Sequence, residues 1–207
     1  MPRGTLHFRG NEAIFGIAVP LAFFPELYRR HQRENPDTAY IEAEGRQLRL
    51  ADFPEVQVWG FIERVCIWGG KTGPPVFARI VKDSAVLREA LSKAARMLDN
   101  GQAGCLDAMK TIKQLKGLGK TDECLSYASK ILRFIRPELC PAFDSVLQGR
   151  LPYPGNATGY GEFSSDCRIL AETLAENGVE NPRKDRKRGL WFAADVEAAL
   201  YAYVQGW

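Results

Sequence analysis

Cysteine and histidine are scarce in this chain of 207 residues, and no long apolar run occurs. The five cysteines (Cys66, Cys105, Cys124, Cys140 and Cys167) are odd in number and widely spaced, with no CxxC pair, and the only histidines are His7 and His31. Those spacings argue against a zinc site and a disulfide framework, so buried free thiols are the expected state. No stretch reaches the roughly eighteen apolar residues of a membrane span. The first fifteen residues carry Arg3, Arg9 and Glu12 and lack a long apolar core, so they do not read as a signal peptide, and a cytoplasmic location is expected. No internal repeat and no low-complexity segment is present. What is there is ordinary globular composition: 45% hydrophobic and 26% charged residues exclude a disordered, collagen-like or coiled-coil chain. The length suits one domain, or one domain of two lobes around a cleft.

Charge is local. Arg183, Lys184, Asp185, Arg186, Lys187 and Arg188 sum to +4 within a net charge of +3, which leaves −1 for the rest. A nucleic-acid partner would therefore be met through patches rather than a basic surface. The basic members of this run read as a backbone-binding loop, and the alternative is a solvated loop.

Helical periodicity dominates the pattern. Residues 54–68 place Val58, Phe61, Ile62 and Val65 on one face and stop at Gly69-Gly70. Asp83 or Ser84 can cap a helix with Leu87, Leu91, Ala94 and Leu98 as its stripe, ended by Asn100-Gly101. Leu106, Met109, Ile112 and Leu115 suit another helix. Leu125, Ala128, Ile131, Leu132 and Ile135 suit a further one, stopped by Pro137. A short helix is expected from about Asp144, and longer ones over 164–177 and 193–204. Residues 151–160 read as an extended stretch and a loop. The one strand signal lies at Ala39–Ala43 and Arg46–Leu50, which around Glu44-Gly45 predict a small β-hairpin. The expected fold class is mainly α.

The most informative stretch is Thr111 to Thr121. Two helices joined by Leu115-Lys116-Gly117-Leu118-Gly119 form a helix-hairpin-helix. Its glycines permit a tight turn, and its amides, with the positive end of the second helix, suit a phosphate. Lys110, Lys113, Lys116 and Lys120 surround the turn with no acid between them. A plain sharp connection is the alternative. Gly119-Lys120-Thr121 also mimics the end of a P-loop, but Gln114 stands where that loop needs glycine and no strand precedes it.

With the downstream segment Cys140-Pro141-Ala142-Phe143-Asp144, this stretch resembles the helix-hairpin-helix DNA glycosylases, in particular the 8-oxoguanine glycosylase fold group. Ser129-Lys130-Ile131-Leu132-Arg133-Phe134 followed by Pro137 looks like a bacterial branch of that group. The resemblance implies a two-lobed fold, with residues 80–150 as the hairpin lobe and residues 1–79 plus 151–207 as the other. It implies excision of a modified base, such as an oxidised guanine, from DNA, with Asp144 as the carboxylate that stabilises the developing sugar cation. Asp144 is equally a good helix N-cap. Lyase members carry a Schiff-base lysine two residues after the second hairpin glycine, where this chain has Thr121. Lys130 and Lys120 are the candidates. Lys130 lies among apolar residues that could lower its pKa, and Lys120 is better suited to a phosphate. Lys113, Lys116, Gly117, Leu118, Gly119 and Lys120, with the basic members of 183–188, are the candidate DNA contacts. Trp68, Tyr160, Phe163 and Trp191 are the candidate walls of the base pocket. No cofactor or metal is expected, apart from a monovalent cation the hairpin can hold. DNA is the expected partner of a monomer. A non-catalytic DNA-binding module and a protein-interaction scaffold are the rival functions.

Overall fold

The computed structural model of the chain describes residues 19–80, 83–100, 104–115, 118 and 122–207, with backbone alone at 122–124 and 188. Among these residues there are ten α-helices, two short 3-10 turns and no strand. The mainly α expectation holds. No described helix is long and apolar enough to cross a membrane.

Helix α1 (Phe24–Glu34) buries Phe24, Leu27, Tyr28 and His31, one face of a 3.6-residue repeat. The segment expected as a β-hairpin is instead helix α2 (Thr38–Leu50). Its buried residues Thr38, Ile41, Glu42, Gly45 and Leu48 stand at i, i+3, i+4, i+7 and i+10, and this helical face overrides the alternation that suggested strands. Gly45 is therefore not a turn residue. It lies where α2 crosses α7, and a Cβ there would stand 2.3 Å from the Phe134 carbonyl oxygen. Gly45→Ala is expected to destabilise the fold by about 1–3 kcal/mol through overpacking, read as a lower urea midpoint.

Helix α3 (Glu55–Trp68) buries Val58, Phe61, Ile62 and Val65, as its pattern required. It ends at Gly69-Gly70, where Gly70 takes a positive φ of 87°. Helix α4 (Gly73–Arg79) follows. Helix α5 (Ser84–Asp99) is capped by Asp83, whose carboxylate accepts from the amides of Ala85 and Val86.

Helices α6 (Cys105–Lys113) and α7 (Asp122–Ile135) pack on each other, with the start of α6 beside the chain just beyond α7. Helix α8 (Ser145–Arg150) is short. Helix α9 (Ala157–Glu176) starts earlier than the expected residue 164, because Asn156 accepts from the Gly159 amide and caps it there. Helix α10 (Ala193–Gln205) has only two charged residues, Asp195 and Glu197, and both are buried. A helix apolar on nearly all sides belongs in the interior, and α1, α8 and α9 cover α10. Buried residues from 19–80, from 83–147 and from 151–202 join in one hydrophobic cluster.

Candidate active site

Lys130 lies in the middle of α7, with only 5% of its surface exposed. Its Nζ is 3.7 Å from Oδ2 of Asp144. Local bonding explains how side chains fourteen residues apart meet. Ser129, next to Lys130, accepts the Phe143 amide at 2.9 Å and so pins the chain before Asp144 to α7. The amides of Ala193 and Ala194 bond to the carbonyls of Glu138 and Pro137, which fixes the same connection to the start of α10. Asp144 divides its two oxygens. Oδ1 accepts from the amides of Val146 and Leu147 and caps α8, at 3.1 and 3.2 Å, while Oδ2 faces Lys130.

The pair opens into a cavity of about 240 Å³, also lined by His31, Trp68, Gly69, Gly70, Glu197, Tyr201 and Trp207. The Trp68 indole is held by a bond from Nε1 to Thr38 Oγ1 at 2.9 Å and stands edge-on to Phe134. Tyr127 fixes the rim: its hydroxyl meets Thr72 Oγ1 at 2.8 Å and the Gly69 carbonyl at 3.2 Å. A Cβ on Gly69 would press within 2.6 Å of the Tyr127 ring, so the rim accepts no larger residue without displacing that ring. Arg30 of α1 donates to the Trp207 carbonyl and holds Trp207 in the cavity lining. The result is a polar floor of lysine and carboxylates under aromatic walls, a shape suited to a flat aromatic ligand.

Electrostatics behind the floor are set by burial. Burial lowers the Lys130 pKa below its ordinary value, against the pull of Asp144 and Glu197, which favour the ammonium form. Glu197 is fully enclosed, and burial pushes its carboxyl up to about 7. The Arg133 guanidinium, 2.9 Å away through Nε, opposes that rise. His31 is held down to about 3 by burial and by the charge of Arg133. It is a neutral imidazole at any pH near 7, not an acid. The sign for stability follows: from pH 6.5 down to about 3 the unfolded chain binds a proton that the folded chain refuses, so stability falls with pH in that window. Between pH 7.5 and 4.5, the wild type should lose about 2–3 kcal/mol more than His31→Gln in urea unfolding.

Of the four aromatic wall candidates, the structure brings only Trp68 to the cavity. Tyr160 and Phe163 are buried on α9, packed around Phe143. Trp191 is buried edge-on against Phe24 and Tyr28, and its Nε1 donates to the Val179 carbonyl at 2.7 Å. These three build the core behind the site. His31, Tyr201, Trp207 and Glu197 were not anticipated. A carboxylate in the otherwise apolar α10 was the one available signal for Glu197, since a buried acid needs a partner.

The basic run also needs correction. Arg183 and Arg186 are buried, not presented to solvent. Arg183 bonds to Glu42 of α2 at 2.9 Å and to Asp185 at 2.8 Å. Arg186 clamps both oxygens of Asp195 at 2.9 and 2.7 Å, and its ring neighbour is Phe192 at 3.9 Å. Asn181 donates to Asp195 at 2.8 Å. Two buried acids on other elements therefore draw these arginines inward. Lys184 and Lys187 remain exposed, and the Arg188 side chain lies outside the described residues.

Of the hairpin, Lys116, Gly117, Gly119 and Lys120 lie outside the described residues. Leu118 is fully buried, and its amide bonds to the Leu115 carbonyl at 3.0 Å, so its side chain anchors the turn to the core. Lys113, in the last turn of α6, is partly exposed, and Lys110 lies 3.5 Å from Asp107. Comparison with family models, with curated proteins and with solved structures finds no match for the chain.

Proposed function

We propose that the chain is a DNA glycosylase of the helix-hairpin-helix type, with the two-lobed architecture of those enzymes, and that it excises a modified base through Lys130 and Asp144. The observation that carries the reading is the Lys130–Asp144 pair, 3.7 Å apart at the floor of an aromatic-lined cavity. A base turned out of the duplex needs aromatic walls, and Trp68, Tyr201 and Trp207 supply them. Bond cleavage then needs a nucleophile and a negative charge beside the sugar. Lys130 in its neutral form attacks C1′ as the bond to the base breaks. The proton released from Nζ ends on the departing base, and the Asp144 carboxylate lowers the energy of the cationic sugar in the transition state. Burial supports the nucleophilic role because it favours the uncharged amine. Lys113 and the hairpin amides are the proposed contacts to the phosphate backbone.

The test is incubation with duplexes carrying a panel of modified bases, with alkali-treated and untreated products compared. Release of one of those bases, with a borohydride-trapped adduct on Lys130, is the expected result. Binding without release from any duplex would make the chain a DNA-binding module, and absence of binding would remove DNA altogether. For the hairpin, Lys113→Ala with Lys116→Ala is expected to reduce the salt dependence of DNA affinity by about two counterions. An unchanged slope would take these lysines off the phosphates.

A further inference from the structure

A second reactive group lies outside the cavity, at the open end of the α6–α7 hairpin. Cys105, the first residue of α6, and Cys140, just beyond α7, bring their sulfurs to 2.9 Å. Both are free thiols and both are buried. The Cys105 sulfur also donates to the Leu139 carbonyl at 3.1 Å, so the pair is held from the Cys140 side of the connection. The Cys140 amide bonds to the Arg136 carbonyl at 2.9 Å, which fixes its backbone. We propose that Cys105 and Cys140 form a peroxide-responsive thiol pair whose closure to a disulfide joins α6 to the end of α7 and makes the helix-hairpin-helix a covalent ring.

The two thiols are unequal in a way that suits sequential oxidation. The hydrogen bond from Cys140 lowers the Cys105 pKa, assisted by the charge of Arg168 on α9, whereas burial raises that of Cys140. Cys105 also keeps the residual exposure of the pair, 6% against none. Its thiolate is the group that meets the oxidant. Attack on hydrogen peroxide breaks the O–O bond, leaves a sulfenic acid on Cys105 and releases hydroxide. The Cys140 sulfur then attacks the Cys105 sulfur, its proton leaves with the displaced hydroxyl as water, and the S–S bond forms. Overall, two thiols and one peroxide give one disulfide and two waters. The sulfurs close from 2.9 Å to the roughly 2.05 Å of a disulfide bond. Cys66 and Cys167 are free and buried on other helices, α3 and α9, with Cys167 near enough for the charge of Cys105 to act on it.

The closed ring encloses α6, the turn and α7, and so restrains the unfolded chain over the hairpin. It leaves the Ser129–Phe143 bond and the Lys130–Asp144 pair untouched, because Cys140 is already held in place before closure. The expected effect is a more stable hairpin rather than a blocked cavity.

The experiment treats the reduced full-length chain with hydrogen peroxide, alkylates the remaining thiols, digests with trypsin and maps the products by mass. The expected product links peptide 97–110 to peptide 134–150, lighter by two hydrogens, with three of the five cysteines alkylated. Dithiothreitol reverses it, the circular dichroism stays helical, and the thermal midpoint rises by on the order of 5–10 °C. Cys140→Ala is expected to leave Cys105 as a trappable sulfenic acid, which separates loss of the partner from loss of reactivity. Should that variant not fold, the wild-type map alone decides. A linkage through another cysteine, irreversible oxidation of Cys105 with Cys140 still alkylated, no oxidation at all, or closure only in denaturant would each overturn the proposal.

Discussion

Asp144→Asn is expected to lower base excision by on the order of 10²–10³-fold while leaving the fold and DNA binding nearly unchanged. The two oxygens of this residue do separable things. Oδ1 caps α8 through the amides of Val146 and Leu147, and an asparagine oxygen can keep both bonds. Oδ2 faces Nζ of Lys130 at 3.7 Å, and there an amide brings no charge. The urea midpoint therefore reports the cap, and single-turnover excision reports the charge. Comparable losses of stability and excision would reduce Asp144 to a structural cap. The companion variant Lys130→Gln should abolish the borohydride-trapped adduct entirely. An adduct that survives it and disappears in Lys120→Gln would move the nucleophile into the hairpin. Persistence of excision in both variants would point to water as the attacking group.

Arg186→Met is expected to cost about 3–5 kcal/mol of stability, the usual penalty for breaking a buried ion pair by removing one partner. Arg186 has no exposed surface, and it satisfies both oxygens of Asp195 and lies 2.6 Å from Glu42. Without it, two acids on α2 and α10 keep their burial and lose a counter-charge. Asp195 also accepts the Phe192 amide at 3.1 Å and so starts α10, the helix that carries Glu197 and Tyr201 to the cavity. Damage should therefore spread to the site, as lower activity in proportion to the unfolded fraction. Lys187→Ala, on the exposed side of the same run, should change stability by less than about 0.5 kcal/mol. Equal effects of the two variants on denaturant unfolding, with a reduced salt slope for Arg186→Met, would restore this segment as a phosphate-binding loop.

These expectations rest on unequal legibility. The apolar stripes of α3 and α5 are written in the sequence because each helix buries one side: Val58, Phe61, Ile62 and Val65 in one, and Leu87, Leu91, Ala94 and Leu98 in the other. Residues 39–50 misled, because a short segment with Ile41, Leu48 and Leu50 fits period 2 and period 3.6 almost equally. Only the surface it packs against, α7 at Gly45, selects the helix. The run 183–188 misled for a related reason. Its charge is visible, but the partners that bury two of its arginines lie at Glu42 and Asp195, on other elements.

What the sequence by itself determined is local: the helical class, the helix ends at Asp83, Gly69-Gly70 and Asp144, and the candidacy of Lys130 and Asp144. The class and the helix ends follow from side chains acting within a turn or two, whereas the candidacy of Lys130 and Asp144 comes from the resemblance of their segment to the helix-hairpin-helix glycosylases. The interval of fourteen residues, with its Pro137–Pro141 connection, allowed these two side chains to meet, and the tertiary structure supplied what holds them there, the bond from the Phe143 amide to Ser129 across the α7–α8 connection. The tertiary structure also decided which aromatics line the cavity. Trp68 meets Tyr201 and Trp207 from a distant stretch of chain, while Tyr160, Phe163 and Trp191 turn into the core. Both sets are aromatic, so residue type does not separate them. Their difference is whether long-range packing turns them to the cavity or into the core, which no local rule encodes.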